Sequence, residues 1–146
     1  MAGETDLAAL IRRMEPALHD DEFVFCTAAA APAGIDAVAM FREREGLTLV
    51  CRRAEADRWG LRQAFPCRLI TLNVHSSLEA VGFLAAVTTE LARHGIGVNV
   101  VSAFYHDHLF IASDQAERAM AILRAQASAS MGVTGSSSAQ QTTPNK

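Results

Sequence analysis

Hydrophobic positions near the N-terminus of the chain recur first at helical and then at strand spacing. Residues 5–15 carry apolar side chains at i, i+3, i+4 and i+7, which predicts a helix that Thr5 or Asp6 caps. Residues 23–27 are rich in strand formers and predict a strand. The Ala-, Pro- and Gly-rich residues 28–34 then predict a loop.

The next segments predict a hairpin, a helix and a strand. Residues 38–42 and 47–51 are two apolar runs, and the polar turn between them ends at Gly46, a residue suited to a positive φ. Residues 54–64 are consistent with a helix. Residues 68–75 alternate strictly between apolar and polar side chains, which predicts a strand with two different faces.

A second set of elements follows. Residues 76–79 (Ser-Ser-Leu-Glu) have the form of a capping box, and the apolar spacing beyond them predicts a helix from Ser76 to His94. The glycine after that histidine suits the left-handed end of a helix. Residues 98–104 and 109–112 predict two strands around a short polar turn, and residues 114–125 predict a last helix.

The order of these elements indicates an α+β fold with an antiparallel sheet and helices on one face. The chain divides into two halves, residues 5–66 and 67–127. The second half is nearly a βαββαβ unit, the ferredoxin-like motif, but it lacks an obvious last strand. The first half lacks an obvious first strand. A shared or exchanged strand would complete both, and the sequence leaves open which.

Residues 128–146 are predicted to be a disordered tail. Beyond residue 132 they are mainly Gly, Ser, Thr, Gln, Pro and Asn, with only one Val and one Ala. Such a segment buries too little apolar surface to offset the conformational entropy lost on ordering.

Composition narrows the functional classes. The 146 residues include 13 Lys and Arg against 16 Asp and Glu, and the net charge of -3 argues against a nucleic-acid partner. The longest apolar run, residues 80–87, is far shorter than the roughly 20 residues that cross a bilayer, so no membrane partner is expected. Cys26, Cys51 and Cys67 are odd in number and widely spaced, which favours reduced thiols and a cytoplasmic protein.

Residues 81–96 resemble the signature of the ACT domain. In that family a strand leads through a turn into a helix of pattern Leu-x-x-Val-x-x-x-Leu, followed by Gly-Ile and a second strand. Val81 stands where the family often has proline, and this resemblance starts the helix near Gly82 instead of Ser76. Three further motifs, at residues 41–48, 70–82 and 105–110, resemble those of small stand-alone ACT-like proteins.

The resemblance covers roughly residues 5–125 and implies two ACT-like halves side by side. It implies a non-enzymatic regulatory role, since ACT domains usually bind small effectors, often amino acids, where domains pair. This branch of the family lacks an attached catalytic domain, so the resemblance does not say what the chain regulates. No cofactor is expected.

The junction between the predicted strand and the helix at Ser76 is the main candidate for ligand binding. Free backbone N–H groups and the positive end of a helix favour a carboxylate, and the hydroxyls of Ser76 and Ser77 would add hydrogen bonds. The alternative is that Ser76 only caps the helix and that Ser77 is solvated. The two interpretations are compatible.

Other polar residues extend this candidate site. Asn73 and His75 share one face of the predicted strand by alternation. The ACT resemblance adds Asn99, because an asparagine after Gly-Ile can contact the effector in that family. Glu79 or Asp107 is expected to hold the ligand's ammonium group. The full set of expected binding residues is Asn73, His75, Ser76, Ser77, Leu78, Gly82, Asn99, His106, Asp107 and His108.

A second hypothesis is a small metal-dependent hydrolase. His106 and His108 would share one face of a strand, and His75 would supply a third imidazole for a metal ion with an open coordination position. The alternative is that these residues are polar side chains of a hairpin turn. A third hypothesis is a pure oligomerisation module whose sheet edge joins a partner. The partners expected are a small carboxylate or amino acid and, left open, a second copy of the chain.

Overall fold

Four α-helices, one 3-10 helix and six strands make up the described part of the chain. The computed structural model describes residues 3–132, with side chains to residue 130. In chain order the elements are α1 (Leu7–Arg13), β1 (Pro16–Ala28), β2 (Ala37–Glu43), β3 (Gly46–Arg52), α2 (Arg53–Arg58), β4 (Arg62–Leu72), α3 (Phe83–Arg93), β5 (Val98–Ser102), β6 (Asp107–Ala112), a 3-10 turn (Ser113–Gln115) and α4 (Ala116–Gly132).

The six strands form one antiparallel sheet in the order β2-β3-β1-β4-β6-β5. The central strands β1 and β4 are the longest, with 13 and 11 residues, and they pair with each other. Strand β4 closes the first half and opens the second, while β1 opens the first half and flanks β4 in the second. Both halves therefore share these two strands. Strand β1 takes the place of the last strand that the second half lacks, whereas β4 completes the first half at its end and not at its start, where the missing strand is predicted.

All four α-helices pack on one face of the sheet, which confirms the α+β, ferredoxin-like fold. The larger core lies under α1, α3 and α4 and includes Leu10, Ile70, Leu91 and Leu123, each fully buried. A smaller core lies under α2, where Ala56 packs on the β1 and β3 side chains. Alternation along the strands assigns these side chains to the same face.

The other face of the sheet carries a separate aromatic core, and we call it the open face. Its cluster contains only strand residues: Phe23, Phe25, Ala39, Val50, Phe65, Cys67, Leu69 and Phe110. Phe25 and Phe110 meet edge to face with ring centroids 5.4 Å apart. Phe110 is buried although no helix contributes to this cluster, so the sheet must curl around it.

The helix predicted over residues 54–64 is wrong in its second half. Helix α2 ends near Trp59, and Gly60 follows with φ +61°. Gly60 N–H donates to the carbonyl of Asp57 and Leu61 N–H to that of Ala56, the two bonds of a Schellman motif. The chain leaves the motif directly into β4, which therefore begins at Arg62, six residues before the predicted strand.

The predicted start of α3 at Ser76 is also wrong, and the start near Gly82 is correct. Residues 73–82 form an irregular loop, and Gly82 enters α3 with φ +89°. The predicted end of this helix is confirmed: Gly95 has φ +73°, and Ile96 N–H donates to the carbonyl of Leu91.

The last helix continues further than expected. Helix α4 runs to Gly132, so the first five residues of the predicted tail are helical. Residues 133–146 lie outside the described part of the chain, and the expectation of disorder there stays a prediction. Among residues 3–132, no helix has both the length and the apolar composition needed to span a bilayer.

Candidate functional site

The N-terminal segment lies against the loop that joins β4 to α3. Glu4 N–H donates to the carbonyl of His75 at 2.8 Å, and Ser77 N–H donates to the carbonyl of Glu4 at 3.0 Å. Glu4 and Ser76 thereby form an isolated parallel bridge. A Cβ atom on Gly3 would lie 2.6–2.7 Å from backbone atoms of this loop, so only glycine fits there. The loop is thus fixed by residues more than 70 positions away.

The backbone amides of Ser76 and Ser77 already have acceptors within the protein. Ser76 N–H donates to the carbonyl of Val74 at 2.9 Å, and Ser77 N–H donates to the carbonyl of Glu4. The Ser77 hydroxyl accepts from the Glu79 amide at 3.1 Å. The expected anion site at these two amides, and the capping box with Glu79, are therefore wrong. Both predictions assumed that Ser76 caps the helix, whereas the N-cap is Gly82, six residues later.

Free amides are found at the other end of the loop, where α3 begins. The first helical hydrogen bond runs from Ala86 N–H to the carbonyl of Gly82 at 2.9 Å, and no side chain caps this end. Within residues 3–132, the amides of Phe83, Leu84 and Ala85 have no acceptor, as expected of a first helical turn. These three groups also mark the positive end of the α3 dipole.

A buried carboxylate belongs to the same site. Asp107 and Ser76 are both only 6% exposed, and the Ser76 hydroxyl donates to Asp107 Oδ2 at 2.8 Å. The second oxygen, Oδ1, has no hydrogen-bond partner among the described residues, and it is not one of their fully buried unpaired atoms, so it is open to solvent. A carboxylate oxygen in this position can accept a hydrogen bond from a cationic ligand group.

Asp107 and the first three residues of α3 line one cavity of about 120 Å³. Its lining residues come from the loop, the first turn of α3 and the ends of β5 and β6: Ser76, Ser77, Leu78, Ala80, Gly82, Phe83, Leu84, Ala85, Ser102 and Asp107. The cavity offers a negative group, three donors and several hydroxyls around a small volume. That combination suits a small zwitterion.

Half of the expected binding residues line this cavity. Ser76, Ser77, Leu78, Gly82 and Asp107 do, and Asn73, His75, Asn99, His106 and His108 do not. The alternation of side chains between the two faces of a strand explains why some of the expected residues do not line the cavity. Asp107 is on the helical face of β6, whereas the next residue, His108, pairs with Thr71 on the open face. Asn99 pairs with Phe110 and is therefore also on the open face.

Ser102 and the three amides of the first α3 turn were not among the residues predicted from the sequence. Ser102 pairs with Asp107 across the β5–β6 hairpin, so it comes to the cavity through strand register. The hairpin turn was recognisable in the sequence, but its exact register was not. The amides follow from the correct start of α3, which the ACT resemblance placed near Gly82.

The three histidines of the metal hypothesis do not form a ligand cluster. The His75 ring lies against Tyr105, with centroids 5.6 Å apart, and His108 Nδ1 is hydrogen-bonded to Thr71 Oγ1 at 3.0 Å. Across the residues that the structure describes, no three His, Cys, Asp or Glu side chains are close enough to hold a metal ion. The hydrolase hypothesis therefore has no supporting ligand set in this region.

Comparisons with known protein families and solved structures support this fold. Two family models, both described as ACT domain, match residues 2–68 and 64–125. A crystal structure from Vibrio cholerae, of a protein of unknown function described as a possible transport protein, is 43% identical to the chain. The match covers 83% of this chain and 95% of that protein, with a TM-score of 0.75. The chain belongs to the ACT-domain family.

More distant solved structures share the fold alone. An Agrobacterium tumefaciens protein is 24% identical over 79% of this chain and 90% of its own, with a TM-score of 0.66. The regulatory subunit of aspartate kinase from Thermus thermophilus is 10% identical over 76% of this chain and 95% of its own, with a TM-score of 0.59. No curated protein matches the chain.

Proposed function

We propose that the chain is a non-enzymatic regulatory ACT-domain protein that binds a small amino acid in the cavity at the start of α3. One observation carries the proposal: Asp107, which has one unpaired carboxylate oxygen, lines the same small cavity as Phe83, Leu84 and Ala85, whose amides have no acceptor in the described chain. An amino acid carries the two opposite charges that these groups recognise.

The ligand's carboxylate would lie at the first turn of α3. Amides that point outward from a helix start, together with the positive end of the helix dipole, favour an anion. The ammonium group would donate to Asp107 Oδ1 and complete the hydrogen bonding of that buried carboxylate. The hydroxyls of Ser76, Ser77 and Ser102 supply further polar contacts around the cavity.

The cavity favours a ligand with a short side chain. Its volume is about 120 Å³, and a site for one water needs roughly 10–15 Å³ in the same measure. The apolar part of the lining comes from Leu78, Ala80, Phe83 and Leu84. Among the amino acids we therefore expect glycine, alanine and serine to bind better than aromatic or long charged ones.

The proposal includes a second copy of the chain as a partner. Strand β5, whose end contributes Ser102 to the cavity, is an edge strand with free hydrogen-bonding groups. Leu78 and Val81, in the loop that lines the site, are 66% and 85% exposed, which is unusual for large apolar side chains. A copy that paired at this edge would cover both residues and narrow the cavity mouth.

The state of the three cysteines supports the cytoplasm as the proposed location. Cys26, Cys51 and Cys67 are all free and buried. Burial raises the pKa of Cys26 and Cys67 to about 12, so these thiols stay protonated at neutral pH. Such cysteines behave as small hydrophobic residues, which suits a reducing compartment.

Calorimetric titration with alanine and two analogues tests the proposed site. Alanine methyl ester lacks the negative charge, and propionate lacks the ammonium group. We expect alanine to bind and each analogue to bind at least about tenfold more weakly, because each loses one charged hydrogen-bonding partner. The variant Asp107→Asn keeps the shape and the contact with Ser76, and we expect it to weaken alanine binding by about tenfold or more.

The matched control is Asp114→Asn. Asp114 is exposed, lies beyond the other end of β6 and does not line the cavity, so alanine affinity should stay within about twofold. The proposal fails if no amino acid of a full panel binds the folded protein. It also fails if Asp107→Asn binds alanine as tightly as the unmodified chain does.

A further inference from the structure

A second cavity lies on the open face, between the two ends of the sheet. Strands β2 and β5 are the opposite edges of the six-stranded sheet, yet Val38 and Ala39 of β2 line the same cavity as Val101 of β5. The sheet therefore curls until its edges face each other. The cavity has a volume of about 290 Å³ and lies over Leu69, His108 and Phe110.

The floor of this cavity is made of closely packed side chains. Leu69 and Phe110 are 5% and 2% exposed and belong to the aromatic core of the open face. Phe110 meets Phe23 and Phe25 in edge-to-face contacts, with centroids 6.4 and 5.4 Å apart. Close packing of this kind resists collapse, so the space above it persists as a cavity.

His108 is the single titratable side chain of the lining, and it is held in place by its neighbours. His108 Nδ1 is hydrogen-bonded to Thr71 Oγ1 at 3.0 Å, and the same hydroxyl is hydrogen-bonded to His19 Nε2 at 2.9 Å. The other ring nitrogen, Nε2, has no hydrogen-bond partner within residues 3–132. Burial lowers the pKa of His108, and the nearby His106 and His19 lower it further against a smaller opposite effect of Asp107, which favours the neutral ring.

The lining selects a particular chemical class. Six of the seven lining residues are apolar, and the seventh, His108, offers one hydrogen-bonding nitrogen. No charged side chain and no helix start lines the cavity, so an ion would lose its hydration without compensation. Mostly apolar cavities with one or a few fixed polar groups are typical of small-molecule sites, and they occur often where domains meet.

We propose that the open-face cavity binds a small neutral molecule that has an apolar body, aromatic or branched, and one hydroxyl group that hydrogen-bonds to His108 Nε2. The hydroxyl can donate to the nitrogen or accept from it, according to the tautomer of the ring. This second site is separate from the α3 cavity, and its proposal does not depend on amino-acid binding there.

Titration of the full chain with p-cresol and toluene tests the proposal by NMR chemical-shift changes. The two probes have the same ring and methyl group, and toluene lacks only the hydroxyl. We expect saturable p-cresol binding with shifts at Leu69, Val101 and Phe110. Toluene should bind roughly three- to tenfold more weakly, because it cannot make the hydrogen bond. His108→Leu is expected to remove this difference between the probes.

The variant Ala39→Phe fills the cavity from the edge strand β2, and we expect it to weaken p-cresol binding by about tenfold or more. Met40→Phe is the matched control: it adds a ring at the next position of the same strand, on the opposite face, and should leave affinity within about twofold. Circular dichroism verifies that both variants fold. Alanine titration of the same samples reports the α3 site separately.

Three results would overturn the proposal. The first is an absence of saturable p-cresol binding to the folded chain. The second is an unchanged p-cresol affinity in Ala39→Phe. The third is a dimer, seen by sedimentation, that Ala39→Phe dissociates and Met40→Phe does not, because a second copy would then occupy the open face. Loss of alanine binding alone contradicts only the proposed amino-acid site.

Discussion

Phe65 has an unfavourable backbone conformation, but its side chain packs against another aromatic ring. Its φ is 60°, in the left-handed region that costs a residue with a Cβ about 1–2 kcal/mol. It lies where β4 has one residue more than β1, between the pairs Phe23–Cys67 and Phe25–Ala64. The bulge brings the ring to Phe25, with centroids 5.9 Å apart, so aromatic packing compensates the strain.

Two substitutions at Phe65 separate the strain from the packing. Phe65→Ala and Phe65→Gly both remove the ring contact with Phe25. Glycine adopts the left-handed conformation without a steric penalty, whereas alanine does not. We therefore expect the glycine variant to be more stable than the alanine variant by about 1 kcal/mol, measured as the free energy of unfolding in urea. Equal stability, or a more stable alanine variant, would contradict the assigned strain.

At the scale of elements, glycines with positive φ set where helices stop. Gly60 ends α2 and Gly95 ends α3 with the same pair of backbone hydrogen bonds. Both positions are open: a Cβ atom would find no heavy atom within 4 Å at either one. The requirement for glycine is therefore conformational and does not come from crowding.

Gly60→Ala isolates this conformational requirement. With φ at +61° and free space around the position, we expect a loss of about 1 kcal/mol in the free energy of unfolding. Gly97→Ala is the matched control, because Gly97 has equally open surroundings but no left-handed φ. That variant should be neutral or slightly stabilising. Thermal unfolding of both measures the difference, and similar losses would contradict this account of helix termination.

Local signals predicted those elements whose boundaries depend on nearby residues. The β2–β3 hairpin around Gly46 and the end of α3 at Gly95 needed only turn glycines and apolar spacing. Gly60 carried the same kind of signal, but the apolar spacing of residues 54–64 continued past it and suggested a longer helix. A glycine inside a periodic segment ends the helix where the following residues form a strand, as Arg62–Leu72 do.

The site was only partly predictable, because its geometry depends on contacts between distant residues. The Glu4 carbonyl accepts a hydrogen bond from Ser77 N–H, and Glu4 N–H donates to the carbonyl of His75. No local sequence pattern around Ser76 reveals these contacts. The N-cap of α3 is Gly82 and not Ser76, so these contacts lie in a loop before the helix. Asp107 was expected near the ligand as part of a hairpin turn, where strand alternation does not apply. In the structure it is the first residue of β6 and lies on the opposite face from His108.

At the scale of the whole molecule, Glu22 links the two halves. Its Oε1 accepts a hydrogen bond from Arg53 of α2 at 2.8 Å, and its Oε2 accepts one from Ser113, next to α4, at 2.6 Å. The residue lies on β1, one of the two strands that both halves share. The hydrogen bonds with Arg53 and Ser113 lower the pKa of Glu22, with smaller contributions from the charges of Arg53 and Arg68.

This lowered pKa predicts a pH-dependent contribution of Glu22 to stability. The carboxylate is favoured in the folded state, so its contribution is fully present above the unfolded pKa, about 4.3, and is lost as pH falls through the lower folded value. Since Glu22 is about one-third exposed, solvent limits this contribution to roughly 1 kcal/mol or less.

Glu22→Gln should therefore unfold about 1–3 °C below the unmodified chain at pH 7, and the gap should narrow as the pH falls below about 5. Glu45→Gln, at the exposed β2–β3 turn, is the control, and its melting temperature should follow that of the unmodified chain at every pH. High salt should reduce the gap at pH 7, because it screens the charge attraction to Arg53 and Arg68. A gap that stays constant from pH 7 to pH 3 would show that the carboxylate's charge does not join the halves.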